Sequence, residues 1–535
     1  MNVADLLAES ARKAPGRDAI IAPDGRGGWN RISYGELDAA VDAHARALGA
    51  GGVARGELAL VMVPPGIPLI TLFYGLLRLG AAPVMIDPGM GFRAFLKCVE
   101  TTRAKTLIGV PKAQVARLLL PHAFSTIERK FVIGPSLMGA LGHRLQPGGV
   151  ASAEEQGDSI RAELRPDDLA AVLFTSGSTG PAKGARYSVA NFFAQRDALQ
   201  ALYNFRPGEV DLAAFPLFSL FDAAFGMTSV IPDIDPARPA LCRPEKIVEA
   251  ITRHQATSAF GSPAIWSRVA PWCEAEGVRL TGLKRVLMAG APVPLKLVRA
   301  MRRILPEDGD VHTPYGATES LPVATISGRQ VEAVGGKIEA GAGTCVGVPA
   351  STIDLRIVPI HDETIRSIEA EPAVARGVVG EICVRGGVVT RAYHNRDDAT
   401  AASKIDDGDS TWHRMGDLGY LDEEGRLWFC GRKAEAVRAA DGPMFTDQIE
   451  CRFSGAARFP RVALVGLGSD GQARPVLVIE GVENASLTEE ARLISGIDDV
   501  RFHPRFPVDR RHNAKIHRLD LARWAAQGSA ERPSR

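Results

Sequence analysis

Leu169 to Gly184 reads LAAVLFTSGSTGPAKG. Its first half, Leu169 to Phe174, is an unbroken apolar run, and a run of that length before a glycine-rich segment suits a strand buried on both faces. The second half carries hydroxyls at Thr175, Ser176, Ser178 and Thr179. Gly177 and Gly180 relieve the steric limit on φ, so the loop can turn tightly and present bare backbone N–H groups. Lys183 adds a mobile cation. Small hydroxyls, amides and one ammonium together make a cradle for phosphate oxygens. A plain surface turn would explain the Gly, Ser and Thr content, but not this density of anion donors directly after a buried strand.

Two well-known phosphate loops are excluded. Gly184 follows Lys183 where a Walker A loop needs Ser or Thr, and the glycine spacing also differs. No G-x-G-x-x-G dinucleotide fingerprint occurs in the stretch.

The rest of the chain sets the frame. At 535 residues it is too long for one core, and two or three domains are expected. Its 63 basic and 62 acidic residues nearly cancel, which leaves no electrostatic footprint for nucleic acid or an anionic membrane. The seven cysteines are scattered without C-x-x-C spacing and read as buried thiols of a reducing cytosol. The opening MNVADLLAESARKAPG is amphipathic and lacks an apolar signal core. Ile67 to Ile86, the most apolar segment, contains Arg78 and is broken by Gly75, Gly80 and Pro83, so it reads as a helix followed by a strand and not as a membrane span.

Strands at Leu58–Val63, Pro83–Ile86 and Thr106–Val110 alternate with helices from Pro68 to Gly80 and from Phe92 to Thr101, which predicts a parallel sheet covered by helices. Residues 134–157 read as loop. Ser188 can cap a helix with Phe192, Leu199 and Tyr203 on one side. A further α/β stretch has helix Ile247–His254, strand Ser258–Phe260, strand Arg285–Met288 and helix Pro294–Ile304. From Gly347 to Leu427 short β segments alternate with Gly, Asp and Asn, which predicts a small β subdomain. Past Gly431 the pattern belongs to a different unit, with a hinge near Arg432 to Glu435 and a disordered end AQGSAERPSR.

Four further motifs accompany the loop. In Pro314-Tyr315-Gly316-Ala317-Thr318-Glu319 a flat ring, a hydroxyl and a carboxylate suit adenine, the α-phosphate and magnesium respectively. Met415-Gly416-Asp417-Leu418-Gly419 offers a carboxylate that can accept from both hydroxyls of a ribose. Gly431-Arg432-Lys433 stands at the hinge, and PVDRRHNAKIHR, Pro507 to Arg518, carries Lys515.

In this order, from Thr175 to Lys515, the five segments resemble the adenylate-forming superfamily of acyl-CoA synthetases, peptide-synthetase adenylation domains and luciferase. The resemblance implies an α/β fold: a large multi-subdomain N-terminal domain with parallel sheets and a small β subdomain, residues 1–431, and a small mobile α+β C-terminal lid, residues 432–535. It implies ATP and Mg2+ as cofactors, a cytoplasmic ligase, and catalytic roles for Lys183, Thr318, Glu319 and Lys515. The nucleotide would be bound by Thr175, Ser176, Gly177, Ser178, Thr179, Gly180, Pro181, Ala182 and Lys183, by Gly290-Ala291-Pro292 and Pro314 to Glu319, and by Asp417 and Arg432, with Glu319 holding the metal. Lys515 would bridge the substrate carboxylate and the α-phosphate. Cys345 to Pro349 resembles the element that opens the β subdomain.

The chain departs from that pattern at Ser219, where a histidine or aromatic gate is usual, at Ala434 in place of a charged hinge residue, and at Asn513-Ala514 before Lys515. These changes weaken the case for a thiol acceptor. Phe215 to Phe225, Val230 to Pro239 and Asp87 to Gly91 resemble one branch, the β-lactone synthetases of bacterial olefin biosynthesis. That branch implies a long-chain 2-alkyl-3-hydroxy acid substrate, no membrane span, and companion enzymes, a dehydrogenase that makes the hydroxy acid and a decarboxylase that consumes the lactone. Phe218, Leu220, Phe221, Phe225 and Met227 are candidates for an apolar acyl tunnel, although at least half of such residues are expected to be ordinary core. His312 and His512 are the candidate bases for ring closure. The alternatives are a long-chain acyl-CoA or acyl-carrier ligase and, from another class, a non-catalytic scaffold of the same fold.

Overall fold

A computed structural model describes residues 1–134, 142–145, 160–175, 182–456, 458–469, 471–508 and 515–527. The opening apolar run forms strand Leu169–Thr175 of a seven-stranded sheet, flanked by Ala82–Ile86 on one side and Lys183–Ser188 on the other. The sheet continues through Leu58–Met62, Thr106–Gly109, Arg129–Ile133 and His143–Leu145, all parallel. Only Lys183–Ser188 runs antiparallel, with Thr175 opposite Lys183. The strand that leads into the glycine-rich segment and the strand that leaves it are therefore paired antiparallel, whereas in a Walker loop a helix follows. The expected helix comes one strand later: Ser188 and Asn191 form a reciprocal cap on Val189–Tyr203, whose Phe192, Leu199 and Tyr203 are buried.

Helix Ile67–Leu79 is buried nearly throughout and ends on Gly80 in the left-handed region. Arg78, 5% exposed, is neutralised there by Asp38 and Asp42. Among the described residues no helix is long and apolar enough to cross a membrane. All seven cysteines are buried free thiols.

The second sheet has fourteen strands. Its parallel part runs Asp18–Pro23, Thr228–Val230, Val210–Ala213, Ser258–Gly261, Arg285–Met288 and Asp310–Ala317. At Asp310–Ala317 the pairing turns antiparallel, through Ser320–Ser327, Thr344–Pro349, Leu427–Arg432, Ser410–Leu421, Gly380–Gly386 and Ile353–Val358. The short β segments from Gly347 onward are antiparallel, as a small β subdomain would be, and hydrogen bonding through Thr344–Pro349 makes them continuous with the parallel sheet. Residues 392–394 also pair with the edge strand of the first sheet, through Ala185 opposite Tyr393 and the His394 N–H donating to Gly184. The two sheets therefore meet beside the phosphate-loop hairpin.

A single turn, Lys433–Glu435, follows strand Leu427–Arg432. Beyond it lie the hairpin Val437–Ala439/Gly442–Met444, helix Thr446–Glu450 and a three-stranded sheet, Val462–Leu467, Arg474–Glu480 and Val500–His503. Leu464, Leu477 and Ile479 form one core on this sheet with Ile449 and Phe453, and Ala463, Val465, Val476 and Val478 form a second with Phe506 and Leu521 of helix Arg518–Gln527. Cys451 belongs to neither core. It packs with Ile338 and Trp428, and its thiol donates to the Ile338 carbonyl at 3.0 Å.

Candidate active site

The site is built on one hairpin. Strand Asp310–Ala317 turns back at Thr318-Glu319 into Ser320–Ser327, with Ala317 opposite Ser320. Gly316 permits this turn: a Cβ there would meet the Ser320 carbonyl oxygen at 2.5 Å. The Tyr187 hydroxyl, from the strand that begins at Lys183, donates to the Thr318 carbonyl. The Glu319 carbonyl accepts from the Thr390 N–H at 2.9 Å, and its carboxylate Oε1 accepts from the Tyr393 hydroxyl at 2.6 Å. Glu319 is thereby fixed from the segment that joins the two sheets.

Tyr393 gathers cations as well. Lys183 Nζ lies 5.0 Å from its ring centroid and Lys404 Nζ 5.8 Å. Lys183, read as mobile from the sequence, is thus seated at the head of a strand and over an aromatic face. Lys404 is 8% exposed and donates to Thr390 Oγ1 at 3.3 Å, with no carboxylate within ion-pair distance among the described residues. Burial pushes its ammonium down to about 7, opposed by the Glu319 charge. Its cross-strand neighbour His413 is buried and held well below the ordinary imidazole range by desolvation, then by Lys404.

Asp417 lies on strand Ser410–Leu421, opposite Arg432. Tyr315 OH donates to Asp417 Oδ2 at 2.7 Å, and Arg432 Nη1 pairs with Oδ1 at 2.7 Å. Burial raises the Asp417 carboxyl, and Arg432, Tyr315 and the charge of Lys515 oppose the rise. Desolvation, then Asp417, holds the Tyr315 phenol well above its ordinary value. Glu319 is felt at Arg432 too, so both carboxylates share one electrostatic neighbourhood. Gly290-Ala291-Pro292 follows the carboxyl end of Arg285–Met288, the parallel neighbour of the strand carrying Pro314 and Tyr315. Ligands of open α/β sheets bind at such strand ends.

Seven expected residues therefore converge: Lys183, Tyr315, Thr318, Glu319, Asp417, Arg432 and Lys515. Ser176, Gly177, Ser178, Thr179, Gly180, Pro181, His512, Asn513 and Ala514 lie outside the described residues. Thr390, Tyr393, Lys404 and His413 were not singled out in the sequence. Their spacing carries no local motif, and only the junction of the sheets brings them to Glu319.

His312 packs edge-on against Tyr203, ring centroids 5.5 Å apart, and burial lowers its pKa. Phe218 stacks on Phe260 at 4.4 Å and Phe225 packs on Phe205 at 4.9 Å, with Met227 fully buried in the same cluster. Leu220 and Phe221 belong to a different cluster, with Phe73 and Phe192. Phe221 also reaches the first cluster, its ring centroid 6.0 Å from that of Phe218, and all five candidates for a tunnel lining pack into these two apolar clusters. Ser219 is fully buried and accepts from Ser229 Oγ at 2.7 Å, so it is no gate.

Among the described residues no group of three or more His, Cys, Asp and Glu side chains could hold a metal ion. A single carboxylate suits Mg2+ that arrives on nucleotide phosphates, because Mg2+ keeps most of its shell as water and phosphate oxygen.

A continuous sheet that gathers tyrosine, aspartate, arginine and lysine in one cluster has clear relatives. Residues 7–394 match the family described as AMP-binding enzyme, and the chain belongs to that family. It is 43% identical to the olefin beta-lactone synthetase of Xanthomonas campestris pv. campestris and 42% identical to that of Stenotrophomonas maltophilia, in each case over 98% of both chains. Its fold is similar to that of the amide bond synthetase McbA from Marinactinospora thermotolerans, with TM-score 0.80 at 20% identity, over 98% of this chain and 99% of that one.

Proposed function

We propose that this chain is an ATP-dependent β-lactone synthetase acting on a long-chain 2-alkyl-3-hydroxy acid. The observation that carries the reading is the 43% identity, end to end, with the olefin beta-lactone synthetase of Xanthomonas campestris. The clustering of Lys183, Glu319, Asp417, Arg432 and Lys515 supports it.

In the first step a carboxylate oxygen of the acid bonds to the α-phosphorus of ATP and the bond to the β-phosphate oxygen breaks, giving acyl-AMP and diphosphate. Tyr315 offers its face to adenine, Asp417 and Arg432 take the ribose, and the segment from Thr175 to Lys183 cradles phosphate. Glu319 would hold Mg2+, which supplies charge neutralisation to the phosphates. Lys515 offsets the charge that gathers at the pentavalent phosphorus. In the second step the β-hydroxyl oxygen of the same substrate bonds to the acyl carbon, its proton leaves, and the bond to AMP breaks. The nucleophile is tethered, so a high effective concentration offsets ring strain.

On this reading residues 432–535 act as a lid hinged at 432–435, and the enzyme works in the cytosol between a dehydrogenase that supplies the hydroxy acid and a decarboxylase that consumes the lactone. The test is mass analysis of products from a racemic 2-alkyl-3-hydroxy acid with Mg-ATP and no thiol. The expected product is the acid less one water, with one AMP per turnover. A thioester as the main product when CoA is added would overturn the reading in favour of an acyl-CoA ligase.

A further inference from the structure

Lys515 can serve the site only if the segment carrying it is held over Asp417. The structure shows what holds it. Arg518 opens helix Arg518–Gln527, three residues after Lys515. Its guanidinium is inserted between two carboxylates, Nη1 to Glu435 Oε2 at 2.8 Å and Nη2 to Glu450 Oε2 at 2.6 Å, and its Nε donates to Glu450 Oε1 at 3.2 Å. All three side chains are largely buried, at 17%, 8% and 16% exposure. Glu450 Oε1 also accepts the Leu464 N–H at 3.0 Å, so that carboxylate is locked to the lid sheet.

The other end of the grip lies in the hinge turn. Of its four residues, Arg432 pairs with Asp417 and Lys433 Nζ pairs with Glu381 at 3.0 Å, both on the large domain, while Glu435 reaches Arg518. Glu381 is itself buried against Arg414 at 2.6 Å. Ala434 is the one residue of the turn without a charged partner to exchange. Close to the active lysine, Ile516 bridges Val508 and the His517 N–H donates to the Pro507 carbonyl at 2.8 Å. A buried, multiply paired cation contributes little net stability over an apolar replacement; what it specifies is geometry.

We propose that Arg518, gripped by Glu435 and Glu450, is the positioning residue that fixes Lys515 relative to the hinge turn, whose Arg432 and Lys433 pair with the large domain, and that Lys515 so placed serves both adenylation and ring closure. The second half rests on the β-lactone reading: the second nucleophile is already part of the bound substrate, so no acceptor has to enter and no second lid pose is required.

The test compares the full-length enzyme with Arg518→Met, Arg518→Lys and Glu435→Gln, using 2-alkyl-3-hydroxy acid and Mg-ATP. Pyrophosphate exchange into ATP reads the first step. The ratio of lactone to hydrolysed acid, formed from acyl-adenylate supplied to the enzyme, reads the second. The expected result for Arg518→Met is a fall in exchange of about 10- to 100-fold with the KM for the acid little changed, together with a shift of the adenylate from lactone to hydrolysis. Arg518→Lys should recover part of both. Two results would overturn the proposal: exchange falls while the lactone ratio stays the same, which means Lys515 has no part in the second step, or neither quantity moves. Should Arg518→Met not fold, Glu435→Gln, which leaves the Glu450 pair intact, gives the same readouts. Failure of the lactone reading itself would be distinct, since the unsubstituted enzyme would then exchange pyrophosphate and form no lactone.

Discussion

Two sets of buried carboxyls in this molecule differ in the partners placed against them. At the candidate site Asp417 is 3% exposed, yet it keeps a guanidinium at 2.7 Å, a tyrosine hydroxyl at 2.7 Å and the field of Lys515. Deep in the large domain, Asp211 and Asp222 are fully buried with no ion-pair partner among the described residues, and only the hydroxyls of Ser258 and Ser229 reach them. Burial raises both carboxyls, and the Asp211 charge raises Asp222 further. Burial raises the carboxyl in both places; at Asp417 a paired guanidinium, a phenol and the charge of Lys515 oppose the rise, and at Asp211 a serine hydroxyl and the charge of Arg285 do so without an ion pair.

Four experiments would break or sharpen that contrast. Lys515→Ala removes the lid cation that both Asp417 and the transition state would use, and pyrophosphate exchange should fall by roughly 10²–10³-fold. An exchange rate near that of the parent would mean the charge seen at Asp417 has no chemical use. Asp417→Asn should raise the KM for ATP by about tenfold or more and lower stability by about 1–3 kcal/mol, because Arg432 is left without its counter-charge. Titration of ATP and a denaturant melt measure the two effects separately.

Lys404→Met tests a cation buried without a carboxylate partner. Deleting that charge should stabilise the fold by about 1–2 kcal/mol, while exchange falls because the field beside Glu319 changes. Stabilisation with unaltered exchange would place Lys404 outside the chemistry. The smallest effect concerns the carboxyl pair. A carboxyl whose folded pKa is raised contributes stability below its unfolded value near 4, and loses it as pH climbs through the folded value. Denaturant stability should therefore drop between about pH 5 and 8, and Asp222→Asn should flatten that drop by about 1–2 kcal/mol. An unchanged slope would show that the pair does not hold a proton.

The contrast also marks how far the residues could be read in order. Ser188 capping its helix, Gly80 ending another and the strand before the phosphate loop were legible, because caps, glycines and apolar runs act within a few residues. The strand Lys183–Ser188 was not, since KGARYS has no apolar period and earns its place only by pairing with Leu169–Thr175. The aromatic residues from Phe218 to Phe225 suggested a tunnel by composition, but their packing partners, Phe260 and Phe205 among them, come from elements that composition does not place beside them.

The family was determined by the sequence alone, since its motifs are short runs of side-chain types that stand in one order along the chain. Only the tertiary structure decided that Tyr393 and Thr390 would grip Glu319, that Lys404 would be buried beside it, and that Arg518 would tie Lys515 to the hinge. Those contacts join residues from 14 to 83 positions apart, so they exist only where two sheets and a hinge turn are brought together. Local propensity carries no information across such distances.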